Sequence, residues 1–158
     1  MSASPADSRE IDDLERLLIE RACGRLVTSF SHHVDHGQAA RIADLFAEDG
    51  EFTAPGVVTL RGRDELREGL GRRQEKSLRA ARHVCSNLLI DVLGRDHAEG
   101  VVYVAIYRHE FGEGEDPTGP APLGPPLMLG EYRDRFVPTD RGWRFARREV
   151  RVAFRSRR

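Results

Sequence analysis

Cysteine is scarce in this 158-residue chain, with only Cys23 and Cys85, and no CxxC pair occurs. Two thiols in apolar surroundings build no disulfide framework and no zinc ribbon; they read as buried free thiols in a reducing compartment. No apolar run approaches the length that spans a bilayer. The first ten residues lack the charged-then-apolar plan of a secretory signal, so a cytoplasmic protein is expected. Excess charge of either sign is also missing: 25 Lys and Arg stand against 26 Asp and Glu, a formal net charge of −1. No basic stripe interleaved with aromatics is present, so neither nucleic acid nor an acidic membrane surface is an expected partner. The patterns GxGxxG, GxxxxGK[ST] and GxSxG do not occur, which leaves nucleotide-phosphate cradling and nucleophile-elbow hydrolysis without support. No internal repeat is visible.

What is present suits one globular domain. The chain is 39% hydrophobic and 32% charged, long enough to bury a core. Residues 1–8 read as a disordered tail with Asp7 or Ser8 as a helix N-cap, and residues 9–155 as the domain. Ile11, Leu14, Leu18, Ala22, Leu26, Phe30 and Val34 recur at helical spacing and predict one long helix ended by Gly37. A second helix is expected over 38–47, with Ile42, Leu45 and Phe46 on one face and Glu48-Asp-Gly50 as its break. Residues 51–54 and 57–60 read as short strands around Pro55-Gly56, and 64–76 as a third helix. Four long strands follow, over 82–93, 100–111, 127–137 and 143–154, the middle pair separated by a Pro- and Gly-rich excursion over 112–126. Helices segregated from an antiparallel sheet give an α+β domain. The expected architecture is three N-terminal helices on a strongly curved, mostly antiparallel sheet, with a conical pocket between them. Ligand sites favour such places.

Asp35 is the leading candidate for chemistry. It sits in the last turn of the first helix, where the helix dipole is unfavourable to a carboxylate and His32, His33 and His36 crowd it. Pointed into an apolar cavity it becomes a general base; as a solvated helix-end acid it pairs with Arg41 or a histidine. His83 lies on the first long strand, as a proton shuttle or as a satisfied sheet histidine. His109 and Glu110 are neighbours on a strand, so only one faces inward. His32 and His36 have the i,i+4 spacing of helical zinc ligands, but a third ligand and the HExxH glutamate are missing, so no metal and no cofactor are expected.

The run Val34-Asp35-His36-Gly37 before Ile42-Ala-Asp-Leu-Phe-Ala-Glu-Asp49 resembles the SnoaL-like branch of the nuclear-transport-factor-2-like superfamily. So do Leu60-Arg-Gly-Arg-Asp-Glu-Leu66, Arg82-His83, and Tyr132-Arg-Asp-Arg-Phe136 followed by Gly142-Trp-Arg-Phe145. The branch includes polyketide cyclases, scytalone dehydratase and ketosteroid isomerase relatives. The resemblance implies that Asp35 and His83 are a dehydratase-type acid/base pair projecting into the cone. Where the dehydratase has a tyrosine before the aspartate, this chain has Val34; Asn87, Tyr103 or Tyr107 are expected as substitute donors to a developing oxyanion, with Phe52 lining the pocket. The implied activity is a cofactor-independent lyase or isomerase, of dehydratase or cyclase type, on a small apolar oxygenated ring metabolite. Asp35 would abstract the proton and His83 would protonate the departing oxygen. The alternatives are a non-catalytic ligand-binding or interaction module, and a structural subunit like the β chain of ring-hydroxylating dioxygenases. A homodimer through the sheet is expected.

Overall fold

The computed structural model describes residues 11–75 and 78–156. The expected 1–8 tail lies outside them. Helix α1 runs Asp13–Asp35, capped by the Asp12 carboxylate, which accepts the Glu15 N–H, and ended at His36. A 3-10 helix spans Ala39–Leu45, then strand β1 (Phe46–Ala54), β2 (Val58–Arg61), helix α2 (Gly62–Glu75), β3 (Arg79–Val92), β4 (Ala98–Glu110), β5 (Met128–Thr139) and β6 (Gly142–Arg155). The strands form one open six-stranded sheet in the order β2-β1-β6-β5-β4-β3. It is mixed, because β1 pairs parallel with β6 while every other neighbour is antiparallel.

Three expectations shift. The second helix is a 3-10 turn, and the residues expected to break it, Glu48-Asp-Gly50, lie within β1. The stripe on α1 is displaced. Leu14 and Leu18 are 65% and 57% exposed, while Ile19, Cys23, Leu26, Val27, Phe30 and Ser31 are buried. The face of the helix that covers the sheet starts at Ile19, with Arg16 reaching the Val92 carbonyl of β3 at 2.9 Å, and the buried stripe is set by that contact. On β3, the alternation from His83 to Asp91 is broken by a bulge between Ser86 and Leu89, with Asn87 at φ 54°. Asparagine tolerates this left-handed backbone, and the extra residue reverses which side chains face inward.

The cross-strand register sorts the sheet into rows on its helix-covered face. His83, Ile106 and Met128 make one row, and Cys85, Val104 and Gly130 the next. Beyond lie Val102 with Tyr132 and Val150, then Gly100, Asp134, Arg148 and Phe52, then Ala98, Phe136 and Phe145. Phe30 of α1 drops onto this face against Phe52, Tyr132 and Phe145, at centroid distances of 5.9, 5.7 and 6.3 Å. Gly130 leaves room for β6: a Cβ there would run into the Arg151 carbonyl.

Inside this aromatic layer sits an ion pair. Arg148 donates to Asp134 through Nε at 2.8 Å and Nη2 at 2.7 Å, and both side chains are fully buried. Its guanidinium carbon lies 4.3–4.4 Å from the ring centroids of Phe30, Tyr132 and Phe145. Burial raises the Asp134 carboxyl above the ordinary carboxylate range, against the pull of the guanidinium. The pair is consequential mainly through the cost of breaking it. Asp134→Ala should lower stability by about 3–5 kcal/mol in urea unfolding, and Asp134→Ala/Arg148→Met by clearly less. Equal losses would show that the stranded guanidinium is not the cause.

Candidate active site

Asp35 is the last residue of α1, and its side chain turns back onto β3. Oδ2 accepts the backbone N–H of His83 at 2.8 Å, and Oδ1 lies 2.6 Å from His83 Nδ1. Both side chains are only 7% exposed. A carboxylate is acceptor only, so Nδ1 carries the hydrogen and Nε2 presents its lone pair. Among the described residues Nε2 has no partner. One residue thus donates both hydrogen bonds that Asp35 accepts, which fixes the imidazole in tautomer and in orientation. Arg41, the alternative partner, bonds Gln38 instead.

A second tie runs parallel to the first. Ser31, one turn earlier on α1, places Oγ 3.3 Å from Sγ of Cys85, two residues further along β3. The i,i+4 spacing of a helix and the i,i+2 spacing of a strand are matched here, rung for rung. Tyr132 lies nearby, within electrostatic reach of Asp35, Cys85, Asp134 and Arg148. Burial pushes its phenol well above the ordinary tyrosine range and outweighs Arg148, so it stays a neutral donor. Its hydroxyl has no partner among the described residues. Arg148 Nη1 is likewise buried without a hydrogen-bond partner. Cys23, on the buried face of α1, is pushed up to about 12 by burial, with Asp134 adding to the rise.

The structure therefore brings together Asp35 and His83, and places Phe52 on the same face of the sheet beside Phe30 and Arg148. It does not bring in the other three candidates. Asn87 is exposed at the bulge. Tyr103 is 49% exposed, and it and Tyr107 alternate with the buried Val102, Val104 and Ile106, on the face away from α1. His109 shares that outer side and meets Glu115 at 2.9 Å. Glu110 lies 3.9 Å from Arg108. His32 and His36 stack at 5.4 Å on the exposed side of α1, and His36 Nδ1 lies 2.8 Å from the His32 carbonyl. Among the described residues no three His, Cys, Asp or Glu side chains converge as a metal set.

Sequence reasoning missed Tyr132 and Arg148. The alternation of β5 carried a signal for Tyr132, because it shares parity with Met128, Gly130 and Asp134. Arg148 carried none, being one of two consecutive arginines on a strand with an irregular register. Two clefts lie elsewhere. One of about 300 Å³ is lined by Arg82, Tyr107, His109 and the 119–125 segment, and one of about 240 Å³ crosses the outer face of β3–β6. Among the described helices, none is long and apolar enough to cross a membrane.

A family model for the SnoaL-like domain matches residues 15–149. Among solved structures, a candidate scytalone dehydratase from Novosphingobium aromaticivorans DSM 12444 is 27% identical, covers 89% of this chain and 88% of its own, and superposes with a TM-score of 0.74. A protein from Novosphingobium aromaticivorans, described as nuclear-transport-factor-2-like with a cystatin-like fold, is 22% identical over 90% and 87%, with a TM-score of 0.71. A hexachlorocyclohexane dehydrochlorinase from Novosphingobium barchaimii LL02 is 20% identical over 92% and 93%, at 0.72. No curated protein matches. Because the matched span takes in α1 from its third residue, the 3-10 turn, α2 and the sheet into β6, the chain belongs to the SnoaL-like domain family.

Proposed function

We propose that the protein is a cofactor-independent lyase or isomerase acting on a small apolar, oxygenated ring compound, with elimination of water as the favoured reaction. The observation that carries this reading is the two-point hold of Asp35 on His83, which leaves Nε2 without a partner among the described residues. It reassigns the roles expected from sequence. His83 takes the proton beside the carbonyl through Nε2, and Asp35 orients the ring and stabilises the imidazolium that forms. The protonated ring then returns the proton to the departing oxygen. Tyr132 and Arg148 Nη1 are the proposed donors to oxygen charge that develops during the step. The substrate volume is proposed on the Nε2 side of His83, between α1 and the helix-covered face of the sheet, where Ile106 and Met128 continue the histidine's row. The 27% identical relative described as a candidate dehydratase supports the reaction class.

A panel of cyclic β-hydroxy ketones, followed by loss of water and by solvent deuterium uptake beside the carbonyl, tests the reading. His83→Ala should lower kcat/KM by about 10²–10⁴, and Asp35→Asn by a comparable factor, with unchanged circular dichroism. Wild-type turnover or deuterium uptake in either variant would end this mechanism.

Tyr132→Phe should reduce kcat by about 10²-fold or more with little change in KM if the hydroxyl meets the oxyanion. A rise in KM alone would make it a packing residue.

Alkylation supplies a further check. Iodoacetamide should label Cys85 and stop turnover, while Cys23, inaccessible and with its thiol held protonated, reacts only after unfolding; peptide mass mapping reads both.

A further inference from the structure

Beneath the Pro- and Gly-rich segment that joins β4 to β5 lies a cleft of about 300 Å³ that the proposed chemistry does not use. Pro120, Pro122 and Leu123 wall it on one side, and the ends of β3 and β4 on the other. Arg82 and Tyr107 stand directly opposite each other across the β3–β4 ladder, and both line it. They face away from α1, because side chains alternate along a strand and their neighbours His83 and Ile106 face the helix. The sheet itself therefore separates this cleft from the proposed substrate volume.

Charge around the cleft is unbalanced. No acidic residue lines it. The acids nearby along the chain are engaged: Glu110 lies 3.9 Å from Arg108, Glu115 lies 2.9 Å from His109, and Asp116 accepts the Thr118 hydroxyl at 2.6 Å. Arg82 has no ion-pair partner among the described residues. Its Nη1 donates to the Ala81 carbonyl at 2.6 Å, and its Nε and Nη2 donate to nothing among those residues. The Tyr107 hydroxyl is likewise without a partner among them. Leu123, in the opposite wall, is 89% exposed.

We propose that the cleft binds a small aromatic monocarboxylate of one or two fused rings. The carboxylate lies on Arg82 and Tyr107, and the ring packs between the two prolines and Leu123. A guanidinium offers paired N–H groups that match a carboxylate, and such charge-assisted bonds are the strong ones. The phenol beside it adds a further donor. Proline rings make rigid apolar walls that lose little freedom when a flat ring packs on them. A phosphate dianion fits worse. It brings two charges to one arginine without an ion-pair partner, and apolar walls would strip its water without replacing it. Ligand pockets run from about 300 to 1,000 Å³, so this volume suits one compact ring system and is small for a nucleotide.

Titration of isotope-labelled full-length protein with naphthoate, read at the backbone amides of Gly119 and Gly124 in the cleft wall, tests the assignment. Wild type should saturate with a Kd on the order of 0.1 mM, the scale for a ligand of this size. Naphthamide, the same shape without the charge, should bind about tenfold more weakly or worse, and Arg82→Gln should weaken naphthoate by a similar factor. His83→Ala changes the opposite face of the sheet and should leave both midpoints where they are. No saturation at millimolar naphthoate, equal binding of the amide, or tighter binding of naphthyl phosphate overturns the proposal. So does undiminished binding by folded Arg82→Gln, or loss of the response in folded His83→Ala. The comparison of acid with amide uses wild type alone, so it decides the matter where a variant does not fold.

Discussion

The carboxylate of Asp35 is where helix and sheet are made one object. α1 lies on the sheet from Ile19 onward, and at its tip a single side chain accepts two hydrogen bonds from one strand residue. A backbone donor and a ring donor on the same acceptor fix β3 relative to α1 in translation and in rotation. Hydrogen bonds to an ionised group exceed the usual contribution, about 1.5–3 kcal/mol each. The same two bonds determine which imidazole nitrogen is left over. The junction of helix and sheet and the proposed chemistry rest on one contact.

Much of this was legible in the residues. The order of elements, the helix end at Gly37 and the pairing of Asp35 with His83 follow from turn chemistry, periodicity and family resemblance. What was not legible has physical causes. The first half of α1 is amphipathic in sequence, but Leu14 and Leu18 fall on its exposed side while Ile19 and Cys23 face the core, and periodicity does not report which face meets a partner. On β3, a period-2 reading assumes an unbroken ladder. The residue added near Asn87 inverts every assignment beyond it, which is why Leu89 and Asp91 face outward while Ile90 and Val92 face the core. Tyr103 and Tyr107 were candidates because they are tyrosines on a long strand; parity with Val102 and Val104 puts them on the other side.

The buried Arg148–Asp134 pair works differently from the Asp35–His83 tie. It brings charge into an aromatic layer that apolar residues could fill, and it leaves one guanidinium nitrogen unbonded. Buried polar groups without partners are rare in folded proteins. This one sits against the ring of Tyr132, whose hydroxyl has no partner among the described residues. The rings around Arg148 hold it in place without neutralising it.

The parallel pairing of β1 with β6 has a consequence for how the chain comes together. Phe46 stands opposite Phe145, and Phe52 opposite Arg148. The early hairpin of β1 and β2 therefore has one open sheet edge until the last strand arrives. Contacts this distant along the chain close late and slowly. While a ribosome is still delivering β5, the edge of β1 that β6 will cover has no strand partner, and its backbone donors and acceptors wait for the end of the chain.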